Sequence, residues 1–403
     1  MTSQSTQTAT PAGVLTGIRV LDFTSMIAGS YCTRLLADLG AEVIKCEPPS
    51  GDYVRVPPPL RDGKSAYFAH LNCGKKSLCM DLKHPAARRT VEELVALSDV
   101  VVENFRPGVM RRLGLDYPGL KELKPDIIYC AITGYGQTGP DAGRPAYAPI
   151  IHADSGYDLA NLSHQAGLDR PLRTGLYVAD YFSGMTAMAG IQSALLHRER
   201  TGAGQVVDVA LMDTMLSMLV YETLSAQFPV DGPVMLYSPS ATRDGHVIVM
   251  PITQGNFEAL ADAVGHPEWK SDPRFAAYAD RLVNWDALMA QLERWTAERS
   301  SAECEDLLTA AGCPCSRYRT VGEAMQSAQS RHRGVMAEVD DGAGPFLVTN
   351  APLKLSAAPS AARPWVAECG AHNREVLCDL LGYGDDRVTD LINQDALIAA
   401  DDR

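Results

Sequence analysis

The sequence predicts an α/β protein with a parallel sheet covered by helices, and two observations carry that reading. Apolar, strand-like runs alternate with helical periodicity several times through the first third of the chain. Glycine, proline and acidic residues mark the joints where helices stop and strands begin. "GIRVLDFT" (Gly17–Thr24) reads as a buried strand. "SYCTRLLADLGAEVIKCEPP" follows as a helix that Gly40 ends and a second strand that begins over Ala41–Lys45, completing a β-α-β unit. The helix in "HPAARRTVEELVALSDV" leads into the strand "VVVEN", and a helix around "PGLKELKPD" leads into "IIYCAIT". Repetition in this order makes the strands parallel and puts helices on the sheet faces.

A mainly helical stretch runs from Asp180 to about Gln227, interrupted by the turn "RTGAGQ" and the short strand "VVDVAL". "DGHVIVMPI" comes next, then a helix-rich segment from about Asn256 to Gln329 whose tryptophans, charges and punctuation mark a separate small domain. Short strands and proline turns return in "FLVTNAPLKLSAAP", and "NREVLCDLLGYGDDRVTDLINQDALI" closes the chain as helix. The expected boundaries are a disordered leader over 1–13, a large domain over 14–228, a small domain with linkers over 229–332, and a C-terminal part over 333–403.

The chain has 403 residues, 46% hydrophobic and 21% charged, enough for two domains and a sizeable core. A formal net charge of -13 argues against a general nucleic-acid or membrane-surface binder, while a local basic pocket for an anion stays open. The ten cysteines are scattered, Cys313 and Cys315 are too close for a zinc knuckle, and the nine histidines are dispersed, so no metal is expected. "MTSQSTQTATPAG" lacks an apolar signal core, and no apolar run reaches the roughly 20 residues of a membrane span. A cytoplasmic protein with reduced thiols is the expectation.

Five stretches carry candidate chemistry. In "SMIAGSY", small residues between strand and helix allow close approach of a phosphate, or simply tight packing; Gly29 stands without the other glycines of a dinucleotide fingerprint. "LNCGKKSLCMDLKHP" holds a basic cluster of Lys75, Lys76 and Lys83. "ENFRPGVMRRLGL" places Asn104 and Phe105 at a strand end before Arg106, Arg111 and Arg112, where ligands of open α/β sheets bind. "AITGYGQTGPDAGRPAY" is a tightly turning loop with Gly134, Gly136, Gly139 and Gly143. Finally, "LYVADYFSGM" puts one carboxylate, Asp180, among aromatic and small residues at the head of a helix about to be buried. Two explanations stand for it: a helix cap, or a reactive group.

Taken in order, these segments resemble the class III CoA-transferases, the CaiB/BaiF-type family that includes formyl-CoA and carnitine CoA-transferases and α-methylacyl-CoA racemase. The likeness runs from "GIRVLDFTSMIAGSYCTRLLADLGAEVIKCEPPSGDYVR" through "VADYFSGMTAMAGIQSALLHRERTGAGQVVDVALMD" to "GAHNREVLCDLLGYGDDRV". It implies that Asp180 is a nucleophile, carried through an aspartyl anhydride and an aspartyl-CoA thioester. Backbone N–H groups at the helix start are then expected to favour the ionised Asp180. It implies CoA contacts from Met26, Ile27 and Ala28, from Leu71, Asn72 and Lys75, and from Asn104, Phe105 and Arg112, with Tyr135 flanking the reacting end. It also implies a large Rossmann-like domain made from both chain ends, a small inserted α+β domain, and a homodimer of interlocked rings. Acyl-CoA and small carboxylic acids are the implied reaction partners.

Two departures matter. The racemase branch uses a histidine where this chain has Tyr147, which disfavours two-base proton exchange, although His152 stands five residues on. Ala148 replaces the usual aspartate after that tyrosine, and "YSPSATRDGHV" does not match the glycine-rich flap of formyl-CoA transferase. The remaining alternatives are a racemase or isomerase of the same fold, or a non-catalytic CoA-binding subunit within a heteromer.

Overall fold

The computed structural model describes residues 12–165, 167–229 and 237–398; most of the expected leader lies outside them. The chain divides into two units, Met1–Thr223 with His332–Arg403, and Leu224–Arg331.

The larger unit contains strands β1 (Arg19–Asp22) and β2 (Glu42–Glu47), a hairpin of β3 (Leu60–Arg61) and β4 (Lys64–Ser65), then β5 (Lys76–Cys79), β6 (Val100–Glu103), β7 (Ile128–Thr133) and β8 (Val206–Ala210). Six of them form one sheet in the order β5-β2-β1-β6-β7-β8, with every neighbouring pair parallel. Its helices are α1 (Ala28–Asp38), α2 (Ala66–Asn72), α3 (Pro85–Ala96), α4 (Val109–Leu113), α5 (Tyr117–Leu123), α6 (Ala148–Asp154), α7 (Tyr157–Ser163), α8 (Val178–Thr201) and α9 (Leu211–Met218).

Side-chain alternation along each strand splits the core in two. Val20, Val43, Val100 and Val102 pack toward α1 and α8, whereas Leu21, Ile44 and Val101 pack toward α3. Burial on both faces is why successive residues at 20–21, 43–44 and 100–102 are all apolar. Helix α1 starts at Ala28, two residues before the predicted helical stretch, and takes Gly29 into its first turn. A Cβ on Gly29 would stand 2.3 Å from Thr24 Cγ2, so this glycine serves helix-on-strand packing. Gly184 does the same between helices: its Cβ would lie 2.6 Å from the Ala28 carbonyl oxygen, which lets the first turns of α8 rest on the start of α1.

The C-terminal segment joins this unit. Val376, Leu377, Tyr383, Val388 and Leu391 enter the core that also holds Leu78 and Ala87, and the Asn373 side-chain oxygen accepts the Cys79 N–H at 2.9 Å. "EVLCDL" winds as a π-helix over Glu375–Leu380, followed by an α-helix over Asp385–Asn393. The smaller unit is α+β: β9 (Ser240–Ala241), β10 (His246–Val249) and β11 (Cys315–Arg317) form an antiparallel sheet. Phe257, Leu260, Trp269, Phe275, Trp285 and Leu288 fill its core. Among the described residues, no helix is long and apolar enough to cross a membrane.

Candidate active site

The sheet order places β2 on one side of β1 and β6 on the other, so the chain leaves β1 at a point where the winding reverses. Crevices open at the carboxyl ends of such strands. A cavity of about 230 Å³ lies there. Its walls come from the loop after β1 (Met26, Ile27, Ala28), the loop after β6 (Asn104, Phe105, Arg106), and the glycine-rich loop after β7 with Arg144 and Tyr147. Among the described residues that line it, Asp180 is the only carboxylate.

The first loop is held from two sides. The Asn104 side chain accepts from Ser25 N–H at 2.9 Å and donates to the Ser25 carbonyl at 2.7 Å. Asp52 Oδ1 accepts from Ser25 Oγ at 2.8 Å and from Met26 N–H at 3.2 Å, while its other oxygen pairs with Lys45 Nζ at 2.8 Å. This grip holds Met26 at φ +65°, a left-handed backbone that costs a non-glycine residue about 1–3 kcal/mol. Asn104 therefore acts through the loop, with its amide taken up by Ser25.

Asp180 occupies the third position of α8 and does not cap it; the N-cap residue is Tyr177, which makes no side-chain cap bond. The carboxyl is half-buried, and burial pushes it up to about 7. The expectation that helix N–H groups would favour the anion is thereby corrected: desolvation dominates. The first turn of α8 receives its side-chain acceptor from His152, whose Nε2 takes the Ala179 N–H at 3.1 Å. Tyr181, next to Asp180, meets Tyr31 edge-on at 4.9 Å.

The other expected positions distribute as follows. Leu71, Asn72 and Lys75 are buried and do not line this cavity. Lys75 Nζ donates to Asp22 Oδ2 at 3.0 Å and to the Ser30 carbonyl, Thr33 Oγ1 and Asn72 Oδ1, each at 2.8 Å. Burial pulls its ammonium down to about 8 against the attraction of Asp22. Burial acts to raise Asp22, yet Lys75 and Lys45 hold its carboxyl below the ordinary range. Lys75 thus forms part of the floor beneath the β1 loop and Lys76 pairs with Glu42 and Glu375, while Lys83 is exposed and makes no ion pair among the described residues. Arg112 is exposed on α4 and lines neither this cavity nor the next. Tyr135 gives its hydroxyl to Asp154 at 2.8 Å and stacks under Arg144, outside the cavity lining.

A second cavity of about 310 Å³ adjoins the first, sharing Ser25 and Phe105. Phe23, Pro48, Met80, Leu82 and Val109 make it largely apolar, with Lys83 at its wall. Sequence reasoning passed over Arg144, Asp52 and Lys45; the "EVIKCEPPSGDYVR" and "GRPAY" segments carried charges without any spacing that tied them to Asp180.

Residues 15–373 match the model of CoA-transferase family III. The chain belongs to this family and is an enzyme, a transferase. It is 35% identical over 361 residues to an acetyl-CoA:oxalate CoA-transferase of Acetobacter aceti, covering 87% of this chain and 91% of that protein. It is 33% identical to a succinyl-CoA:mesaconate CoA-transferase of Haloarcula hispanica, over 93% and 99% of the two chains. The crystal structure of a mutant of Rv3272 from Mycobacterium tuberculosis superposes with a TM-score of 0.82 at 30% identity, covering 91% of this chain and 99% of that one.

Proposed function

We propose that this chain moves CoA from an acyl-CoA donor to a small carboxylic acid, with Asp180 as the covalent nucleophile. The observation that carries the proposal is the placement of one half-buried carboxylate, without a hydrogen-bond or ion-pair partner among the described residues, in a cavity at the reversal point of the sheet. An Asp180 oxygen attacks the thioester carbonyl and the C–S bond breaks, giving a mixed anhydride and the CoA thiolate. The thiolate attacks the aspartyl carbonyl and the donor acid leaves as its carboxylate. The acceptor carboxylate then attacks the aspartyl-CoA thioester, and the thiolate returns to the acceptor carbonyl of the new anhydride, regenerating Asp180. Acyl activation is kept at each step, so no ATP is consumed.

Partial burial favours this chemistry, since a carboxylate stripped of water is a stronger nucleophile once ionised. The adjoining apolar cavity suits the adenine end of CoA, and Phe105 stands between the two. Arg106 lines the reaction cavity and makes no ion pair among the described residues, which suits a second carboxylate on the acid. The two relatives named above act on oxalate and mesaconate, both dicarboxylates, and we infer the same class of acceptor here. The residues lining the cavity include Tyr147 and no histidine, which supports transfer over two-base racemisation. The family likeness further supports a homodimer, checked by light scattering of the purified protein.

The test is CoA exchange between succinyl-CoA or acetyl-CoA and a panel of dicarboxylic acids, followed by borohydride or hydroxylamine trapping and peptide mass mapping. Expected results are turnover with at least one dicarboxylate, a modified Asp180, and loss of transfer in Asp180→Ala with acyl-CoA binding retained. A modified residue elsewhere, or near wild-type turnover in Asp180→Ala, overturns the assignment. α-Proton exchange with solvent in the absence of transfer would point to an isomerase instead.

A further inference from the structure

We propose that His152 is a positioning residue for Asp180, acting as a neutral side-chain cap on the first turn of α8. The inference deepens the proposed function and rests on Asp180 being the nucleophile. The first N–H groups of a helix have no partner within it and need one from outside. Tyr177, at the N-cap, supplies none from its side chain. His152 does so from a different helix: its Nε2 accepts the N–H of Ala179, the residue next to Asp180, at 3.1 Å. Among the described residues, no other side chain accepts from the N–H groups of Val178, Ala179 or Asp180.

The contact is built to stay in one protonation state. His152 is fully buried, with its ring 5.2 Å from that of Tyr157. Accepting at Nε2 requires the proton to sit on Nδ1, and Nδ1 is buried with no partner among the described residues. Protonating Nε2 would set two N–H groups against each other and bury a charge, and burial holds the imidazole below its ordinary range against the opposing pull of the Asp158 carboxylate. The ring therefore acts as a fixed acceptor and is not a base for substrate, consistent with its absence from the cavity lining. It ties α6 to the start of α8, while Ala28 and Gly184 tie α8 to the cavity loop. Removing the acceptor frees the turn that aims the carboxylate, and a displacement near 1 Å costs about 10²-fold in rate.

The experiment compares His152→Leu, which keeps bulk and removes the acceptor, with His152→Gln, whose amide oxygen can reach the same N–H. His152→Leu is expected to lower kcat about 10- to 100-fold with KM for acyl-CoA within about twofold. Its residual activity should still trap at Asp180. His152→Gln should recover most of kcat. Wild-type kcat in His152→Leu, or equal loss in both variants, overturns the cap. Near wild-type turnover in Asp180→Ala would instead overturn the nucleophile and leave the cap to be judged on its own spectrum. That spectrum is the ¹⁵N signal of histidine-labelled wild-type protein, which needs no variant to fold. The Nδ1–H tautomer at His152 supports the cap, and an Nε2–H tautomer or an imidazolium at pH 7 refutes it.

Discussion

Replacing Asp180 by Asn should stabilise the folded protein, and the gain should grow with pH. Burial raises the carboxyl from its ordinary 3.8 to about 7. At about 1.4 kcal/mol per pH unit, that interval corresponds to ~4 kcal/mol of work to ionise the group in the folded state. The cavity leaves the group partly open to water, which trims the expected value to ~2–4 kcal/mol. The sign follows from proton counting. Between pH 3.8 and about 7 the folded chain holds this proton more tightly than the unfolded chain does, so wild-type stability declines as pH rises. Below that window the penalty is absent, and above it the penalty is constant. Asn is nearly isosteric and stays neutral, so it removes the penalty without changing the packing. Urea unfolding of ligand-free Asp180→Asn and wild type, at equal protein concentration, should show an advantage of ~1–2 kcal/mol at pH 5 and ~2–4 kcal/mol at pH 8. Equal differences at both pH values, or a wild type more stable at pH 8, would refute the claim that desolvation governs Asp180.

Two further substitutions probe the frame around the site. Lys75→Met leaves Asp22 buried beside one fewer cation, and a loss of ~3–5 kcal/mol in denaturant unfolding is expected; a fully stable variant with weakened acyl-CoA binding would instead make Lys75 a ligand contact. Gly184→Ala drives a methyl to within 2.6 Å of the Ala28 carbonyl, so stability should fall by ~1–3 kcal/mol together with turnover, and an unchanged unfolding midpoint would show that the α1–α8 contact yields freely.

Much of this architecture is legible in the one-dimensional chain because strand and helix periodicities are local. The stretches 20–21, 100–102 and 128–132 are apolar residue after residue, the pattern of strands buried on both faces. The start of α1 was read two residues late because the packing of Gly29 under Thr24 is a contact between segments, with no local signature. The pairing within the basic cluster was out of reach for a related reason. Lysine spacing carries no record of Asp22, Glu42 or Glu375, the partners that engage Lys75 and Lys76.

The sequence by itself determined the α/β class and the family, and it singled out Asp180, because a carboxylate within "VADYFSG" is a matter of residue identity and order. Tertiary structure alone decided what environment that carboxylate meets. Its elevated ionisation comes from desolvation by packed elements. Its helix is capped by His152, 28 residues away from Asp180 in the chain, and its cavity is walled by loops from three parallel strands. Proton affinity and hydrogen-bond partnership depend on distances through space, and those exist only once the chain has folded.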